Sequence, residues 1–200
     1  MKRFGKLILL SFILFIIVGC KNAFVVENED IEYLTGKYTV EMGIKNYGKV
    51  VIEVDADKAP ITVTNFMNLV RDGSYNNNKI HRVQKGFVIQ GGDLDGAKTI
   101  KGEFLANGID NDISHERGVI SMARAGDQTS GYDTASSQFF IVVDDATYLD
   151  NYYAGFGKVT KGMDIVDKIC KKVTNVDPES GTILKESDMP VIEYIKEIEK

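Results

Sequence analysis

The sequence predicts a mainly β fold, a closed eight-stranded antiparallel barrel capped by two α-helices. Three observations predict it. Glycine is plentiful, 19 against 3 prolines, and Val, Ile, Tyr and Phe are frequent, which suits strands joined by tight turns better than a helical bundle. Short apolar or alternating segments recur between glycine-bearing loops. Only two stretches carry the 3.6-residue period of an amphipathic helix. With 200 residues, 44% of them apolar, the chain can bury one core, so a single domain with short appendages is expected.

The first twenty residues, MKRFGKLILLSFILFIIVGC, have a basic start, an apolar run over 7–18 broken only by Ser11, and a small residue before Cys20. This is the layout of a secretory signal. The run is about 12 residues, short of the roughly 20 a membrane-spanning helix takes. Ile17-Val18-Gly19-Cys20 resembles a bacterial lipobox, which implies a signal peptide over 1–19 and a mature N-terminus acylated at Cys20. Two or three acyl chains, palmitate among them, hold a protein on a bilayer where one does not, each buried CH₂ contributing about 0.8 kcal/mol. The expected location is the outer face of the cytoplasmic membrane, or an outer membrane.

Cleavage would remove Lys2, Arg3 and Lys6 and take the net charge from −5 to −8. An acidic chain of this kind argues against nucleic acid as a partner, because phosphate binding needs a basic surface. After Cys20 the only thiol is Cys170, so no intramolecular disulfide can form in the mature chain and the fold must stand on packing. Residues 20–36 carry Glu27, Glu29, Asp30 and Glu32 without a clean period and read as a solvated spacer ahead of a domain over 37–200.

From Tyr38 the pattern becomes a β-hairpin, YTVEMGI and KVVIEVD about a turn at 45–48. A helix over 60–72 follows, with Pro60 near its first position, an apolar stripe of Val63, Phe66, Leu69 and Val70, and Gly73 at its end. Strands are expected at 79–83, 87–91, 119–123, 137–143 and 154–159. The second helix, 163–171, sets Ile165, Val166, Ile169 and Cys170 on one face, which makes Cys170 a core residue. PVIEYIKEI supplies the last strand.

Four segments are chemically unusual: IHRVQKGFVIQGGD (80–93), GVISMARAG (118–126), SSQFFIV (136–142) and YLDNYYAGFGKV (148–159). Together they resemble the cyclophilins. The FHR-x-x-x-x-F-x-x-QGGD signature is matched at His81, Arg82, Phe87, Gln90, Gly91, Gly92 and Asp93, with Ile80 for the leading Phe. SMA-x-AG, SQFFI and FGKV are matched at 121–126, 137–141 and 156–159, in the family's order and spacing, so the resemblance covers the domain. It implies a peptidyl-prolyl cis-trans isomerase with Arg82, Gln90 and Phe87 catalytic. Val88, Ala123, Arg124, Gln138, Phe140, Tyr148, Leu149 and Tyr153 would bind substrate, and no cofactor or metal takes part.

Residue chemistry points the same way. Peptide rotation faces a barrier of about 18–20 kcal/mol and X-Pro bonds turn slowly, yet no bond is broken. What helps is an apolar socket for the proline ring and a fixed donor to the amide nitrogen as conjugation is lost. Arginine suits that role, being permanently charged with a rigid fork of N–H groups. Adjacent in a strand, Phe139 and Phe140 must face opposite ways, the first to the core and the second to the pocket. His81 and His115, the only histidines, read as structural, with no close acid–imidazole pairing; Asp144, Asp145 and Asp150 read as loop residues.

Besides Ile80, the chain departs from the family at four positions. Val88 stands for a usual Met, Tyr153 for a frequent His, and Arg124 for a frequent Asn. Tyr148 replaces a Trp that contributes to cyclosporin binding, which implies weak binding of that drug. The expected function is a membrane-anchored foldase, a monomer with chaperone character acting on proline-containing exported polypeptides. A tethered proline-peptide-binding module with vestigial catalysis stays open as the alternative, motivated by Val88, Tyr148 and Arg124.

Overall fold

A computed structural model describes residues 32–126 and 131–199; the expected signal peptide, Cys20 and most of the spacer lie outside the described residues. Eight strands, β1 (Lys37–Ile44), β2 (Gly48–Asp55), β3 (Asn78–Gln84), β4 (Val88–Gly91), β5 (Val119–Met122), β6 (Phe139–Val142), β7 (Gly155–Lys161) and β8 (Val191–Glu197), accompany helices α1 (Pro60–Arg71) and α2 (Met163–Lys172). The strands form a closed barrel in the order β1-β2-β7-β5-β6-β4-β3-β8, and every pairing is antiparallel.

The first hairpin runs from Lys37 opposite Asp55 to Ile44 opposite Gly48. Its turn works because Asn46 takes φ 66°, a left-handed conformation that asparagine tolerates. Alternation then sends Val40 and Met42 inward from β1, and Val50, Ile52 and Val54 from β2. Closure is tight at β7, where a Cβ on Gly157 would lie 2.3 Å from the Glu53 carbonyl oxygen.

Pro60 opens α1, and the helix buries Val63, Phe66, Met67 and Val70. Phe66 meets Tyr75, Phe139 and Phe156 at ring-centroid distances of 5.5, 5.9 and 5.1 Å. The buried Glu103 carboxylate accepts the backbone N–H groups of Ile61 and Thr62 at 2.9 and 2.7 Å, satisfying donors that a helix start leaves open. α1 packs against β8 and β2, and α2 against β2 and β3. In α2, Val166, Ile169 and Cys170 are buried and Ile165 is half-buried.

Short 3-10 turns at Leu105–Asn107, Thr147–Leu149 and Glu186–Asp188 sit in stretches too brief for a period to reveal. The last residues of the expected spacer lie along the barrel: the Leu34 N–H donates to Thr64 Oγ1 at 2.8 Å, and Gly36 O accepts from Ala56 N at 2.8 Å. Among the described residues no helix is long and apolar enough to cross a membrane.

β4, β5 and β6 are short and buried on nearly every residue, because both their faces are covered. Ile89, Ile120, Met122, Phe139 and Ile141 enter the main core. Val88, Val119, Phe140 and Val142 turn the other way and join Ala146 and Leu149 in a second, smaller cluster. That cluster is the floor of the site.

Candidate functional site

Over the second cluster opens a groove of about 450 Å³. Phe87, Val88, Ala123, Phe140, Leu149 and Tyr153 supply its apolar wall, while Arg82, Gln90 and Arg124 bring the polar edge. These nine are all among the residues singled out in the sequence. They come from β3, β4, the end of β5, β6 and the segment around 149–153, so the barrel's strand order, not the chain order, assembles them.

Arg82 is the most constrained of them. It lies opposite Gln90 in the β3–β4 register. Its Nη1 donates to Gln90 Oε1 at 3.1 Å, its Nε donates to the Ser180 carbonyl at 2.6 Å, and its Nη2 donates to Gln84 Oε1. The guanidinium carbon stands 5.5 Å from the centre of the Phe87 ring. Burial lowers its pKa from the ordinary value, though nearby Tyr153 and Tyr148 oppose this; an arginine remains charged at neutral pH regardless. The result is a half-buried cation with its fork fixed before any substrate arrives.

Gln90 is held in turn. Its Nε2 donates to Gln138 Oε1 at 2.8 Å, and Gln138 Nε2 donates to Asp93 Oδ1 at 2.9 Å. Gln138 therefore stands behind Gln90 as the next link of a chain ending on a carboxylate, and is not among the residues lining the groove. Tyr148 is likewise off the groove wall: 69% exposed, it stacks on Phe87 at 5.9 Å and 23° between planes.

Two groups of functional interest were missed from the sequence. The first is the segment 176–183. Ser180 and Thr182 line the groove, Val83 N donates to Gly181 O at 2.8 Å, and Ile183 N donates to His81 O at 2.9 Å, so this segment is bridged to the strand that carries Arg82. Its contribution to Arg82 is a main-chain carbonyl, which leaves no mark on residue type.

The second corrects the expectation of no acid–imidazole pairing. His115 Nδ1 lies 2.7 Å from Asp150 Oδ1 and Nε2 lies 3.0 Å from Ser121 Oγ. Asp150 also accepts from the His115 N–H and the Ser114 hydroxyl, so it is more than a loop residue. Burial depresses the His115 pKa although Asp150 pulls it upward. For Asp150, burial acts upward but is outweighed by donors from His115 and Ser114, which hold it below the usual carboxylate range. The Ser–His–Asp order is that of a hydrolase, but Ser121 is 0% exposed and Phe140 stacks over His115 at 6.1 Å, so no substrate can reach the hydroxyl. The trio instead supports the floor beneath Phe140. His81 is half-buried, lines the groove, and is held below its ordinary pKa by burial, with Asp93 opposing.

An apolar wall edged by the fixed cationic fork of Arg82 suits a reaction in which charge shifts and no bond breaks. Among the described residues no three His, Cys, Asp or Glu side chains converge as metal ligands.

Residues 39–189 match the family described as cyclophilin type peptidyl-prolyl cis-trans isomerase/CLD. Peptidyl-prolyl cis-trans isomerase A of Dickeya dadantii is 43% identical over 139 residues, covering 66% of this chain and 71% of that protein. Peptidyl-prolyl cis-trans isomerase B of Escherichia coli is 40% identical over 134 residues, covering 62% and 79%. A crystal structure of a Cryptosporidium parvum cyclophilin type isomerase superposes with a TM-score of 0.69 at 26% identity, covering 82% of this chain and 99% of that one. The same protein crystallised in the presence of the dipeptide Ala-Pro gives 0.68 at 27% identity, covering 81% and 99%.

Proposed function

The chain belongs to the cyclophilin-type peptidyl-prolyl cis-trans isomerase family, and we propose that it works as a membrane-anchored foldase that turns X-Pro bonds in exported polypeptides. The observation that carries the catalytic reading is Arg82, held by Gln90, Gln84 and Ser180 at the edge of an apolar wall. In this reading the proline ring enters between Phe87, Val88, Phe140 and Leu149, and an Arg82 N–H meets the prolyl nitrogen as its lone pair leaves conjugation. That donor bonds poorly to a planar amide and well to a twisted one, so it stabilises the transition state selectively. Gln90, itself oriented by Gln138, presents its amide to the substrate carbonyl. The helices, which we take to cap the barrel, hold its strands in place.

The test is isomerisation of an Ala-Pro peptide by the full chain in mild detergent, followed by two-dimensional exchange NMR. Removing one preorganised donor typically costs about a hundredfold or more, and Arg82→Ala should lose about that much. An intact chain that binds the peptide without speeding exchange would defeat the reading. Anchoring rests on Ile17-Val18-Gly19-Cys20 alone. Growth with labelled palmitate should mark the protein in the membrane fraction, and Cys20→Ala should abolish both label and sedimentation. Tyr148 supports weak cyclosporin binding, so Tyr148→Trp should tighten it.

A further inference from the structure

Arg124 stands out because its side chain is locked and yet has donor capacity to spare. Nε donates to the Tyr152 carbonyl and Nη1 to the Ala125 carbonyl, both at 2.9 Å. The guanidinium carbon lies 4.7 Å from the ring centre of Tyr153, 5.2 Å from that of Tyr132 and 5.3 Å from that of Phe104. Three rings and two carbonyls hold the fork in place, and no described residue accepts from Nη2. No carboxylate pairs with it among the described residues, as none does with Arg82, whereas Arg71 and Arg117 are paired with Glu197 and Asp167.

The groove's charge is as uneven. Its charged and titratable lining is Arg82, Arg124, His81 and the phenol of Tyr153, with no carboxylate among the described lining residues, in a chain whose net charge is −5. The nearest carboxylate on the amide chain, Asp93, is already bonded to Gln138. Tyr153 joins the two ends of the groove, meeting Phe140 edge-on at 5.9 Å while carrying Arg124 on its face. A proline seated against Phe140 therefore has its flanking residues within reach of a fixed, half-satisfied cation.

We propose that Arg124 makes this groove selective for proline segments with an acidic side chain beside the proline, the carboxylate accepting from Arg124 Nη2. The inference rests on the proposed seating of proline in the groove. It gives the site a substrate class: carboxylate-bearing X-Pro stretches are taken ahead of neutral or basic ones. Because the fork is preorganised, little freedom is lost when the carboxylate binds. A half-exposed pair of this sort is expected to shift affinity by about three- to fivefold, and salt should erode the preference.

The experiment uses the full chain in mild detergent and peptides identical except for Glu or Gln at one position flanking the proline, before or after it. Affinity is read by NMR titration, and turnover by exchange in the same samples. The expected result is tighter binding of Glu than Gln by about three- to fivefold in at least one placement. The ratio should fall towards one in Arg124→Gln, persist in part in Arg124→Lys, and shrink in the unaltered protein as salt rises. Because each ratio is taken within one protein, a variant that binds more weakly overall still reveals whether the preference survives. A ratio near one in the unaltered chain, a ratio insensitive to salt, or a ratio unchanged in Arg124→Gln would overturn the proposal. If the ratio holds while exchange is never accelerated, the acid preference stands and the catalytic reading falls.

Discussion

His115 is buried and wedged between Asp150 and Ser121, and that placement has a pH signature. An unfolded histidine takes up a proton near pH ~6.5. Burial holds the folded His115 below that value, so acidification protonates the unfolded chain first and stability falls as pH drops below about 6.5. Asp150, also depressed, adds stability above the ordinary carboxylate range and loses it only in stronger acid. His81 shifts the same way as His115. Urea midpoints should fall between pH 7 and pH 5, and His115→Gln should lower the midpoint at pH 7 while flattening the slope. A slope unchanged by the substitution would refute the assignment. The residues legible in sequence were those whose role lies in side-chain type within one short segment, such as Arg82, Phe87 and Gln90. His115 and Asp150 are 35 positions apart, and Ser180 meets Arg82 across 98 positions with an atom every residue possesses. No local pattern could have reported either.

Among the elements, β6 divides its labour between neighbouring residues. Phe139 belongs to the main core, edge-on to Phe66 and Tyr75, while Phe140 belongs to the groove floor. Truncating a core aromatic costs about 3–5 kcal/mol. Phe139→Ala should therefore lose roughly that much in urea unfolding, and Phe140→Ala should lose less stability but most of the isomerase activity. Equal stability losses would mean that the two faces of β6 are not distinct. The segment 176–183 makes a complementary case. Gly181 has φ 75°, and a Cβ there would sit 2.8 Å from the Gln84 Cβ, so Gly181→Ala should push Ser180 away from Arg82. Turnover should drop by about tenfold or more if a fixed donor matters as it does elsewhere, with a thermal midpoint only a few degrees lower. Alternation announced strands with one covered face, such as β1 and β2, short apolar runs between glycine-bearing loops announced β4, β5 and β6, whose faces are both covered, and a 3.6-residue stripe announced the helices. The 3-10 turn at Thr147–Leu149, which places Leu149, is only three residues long and is set by what it packs against.

For the whole molecule, the important relation is between residues far apart in sequence. β1 finds β8 as its second neighbour, Val40 opposite Glu197, and β3 pairs with β8 as well. Barrel topology could be expected from strand count and turn spacing, but which strands become neighbours depends on a global closure that no single segment encodes. Such pairing delays folding, because loop closure must precede the contacts that reward it. It also gives the last strand an unusual share of responsibility. In an open sheet, losing a terminal strand merely moves the margin inward by one; here, losing 191–200 would uncover two hydrogen-bonding rows at once, on β1 and on β3. A chain cut short by ten residues would offer a pair of templates to its copies. The truncated protein should associate in a concentration-dependent manner in sedimentation experiments, and a truncated chain that stayed dispersed at every concentration would show that the seam can heal without β8.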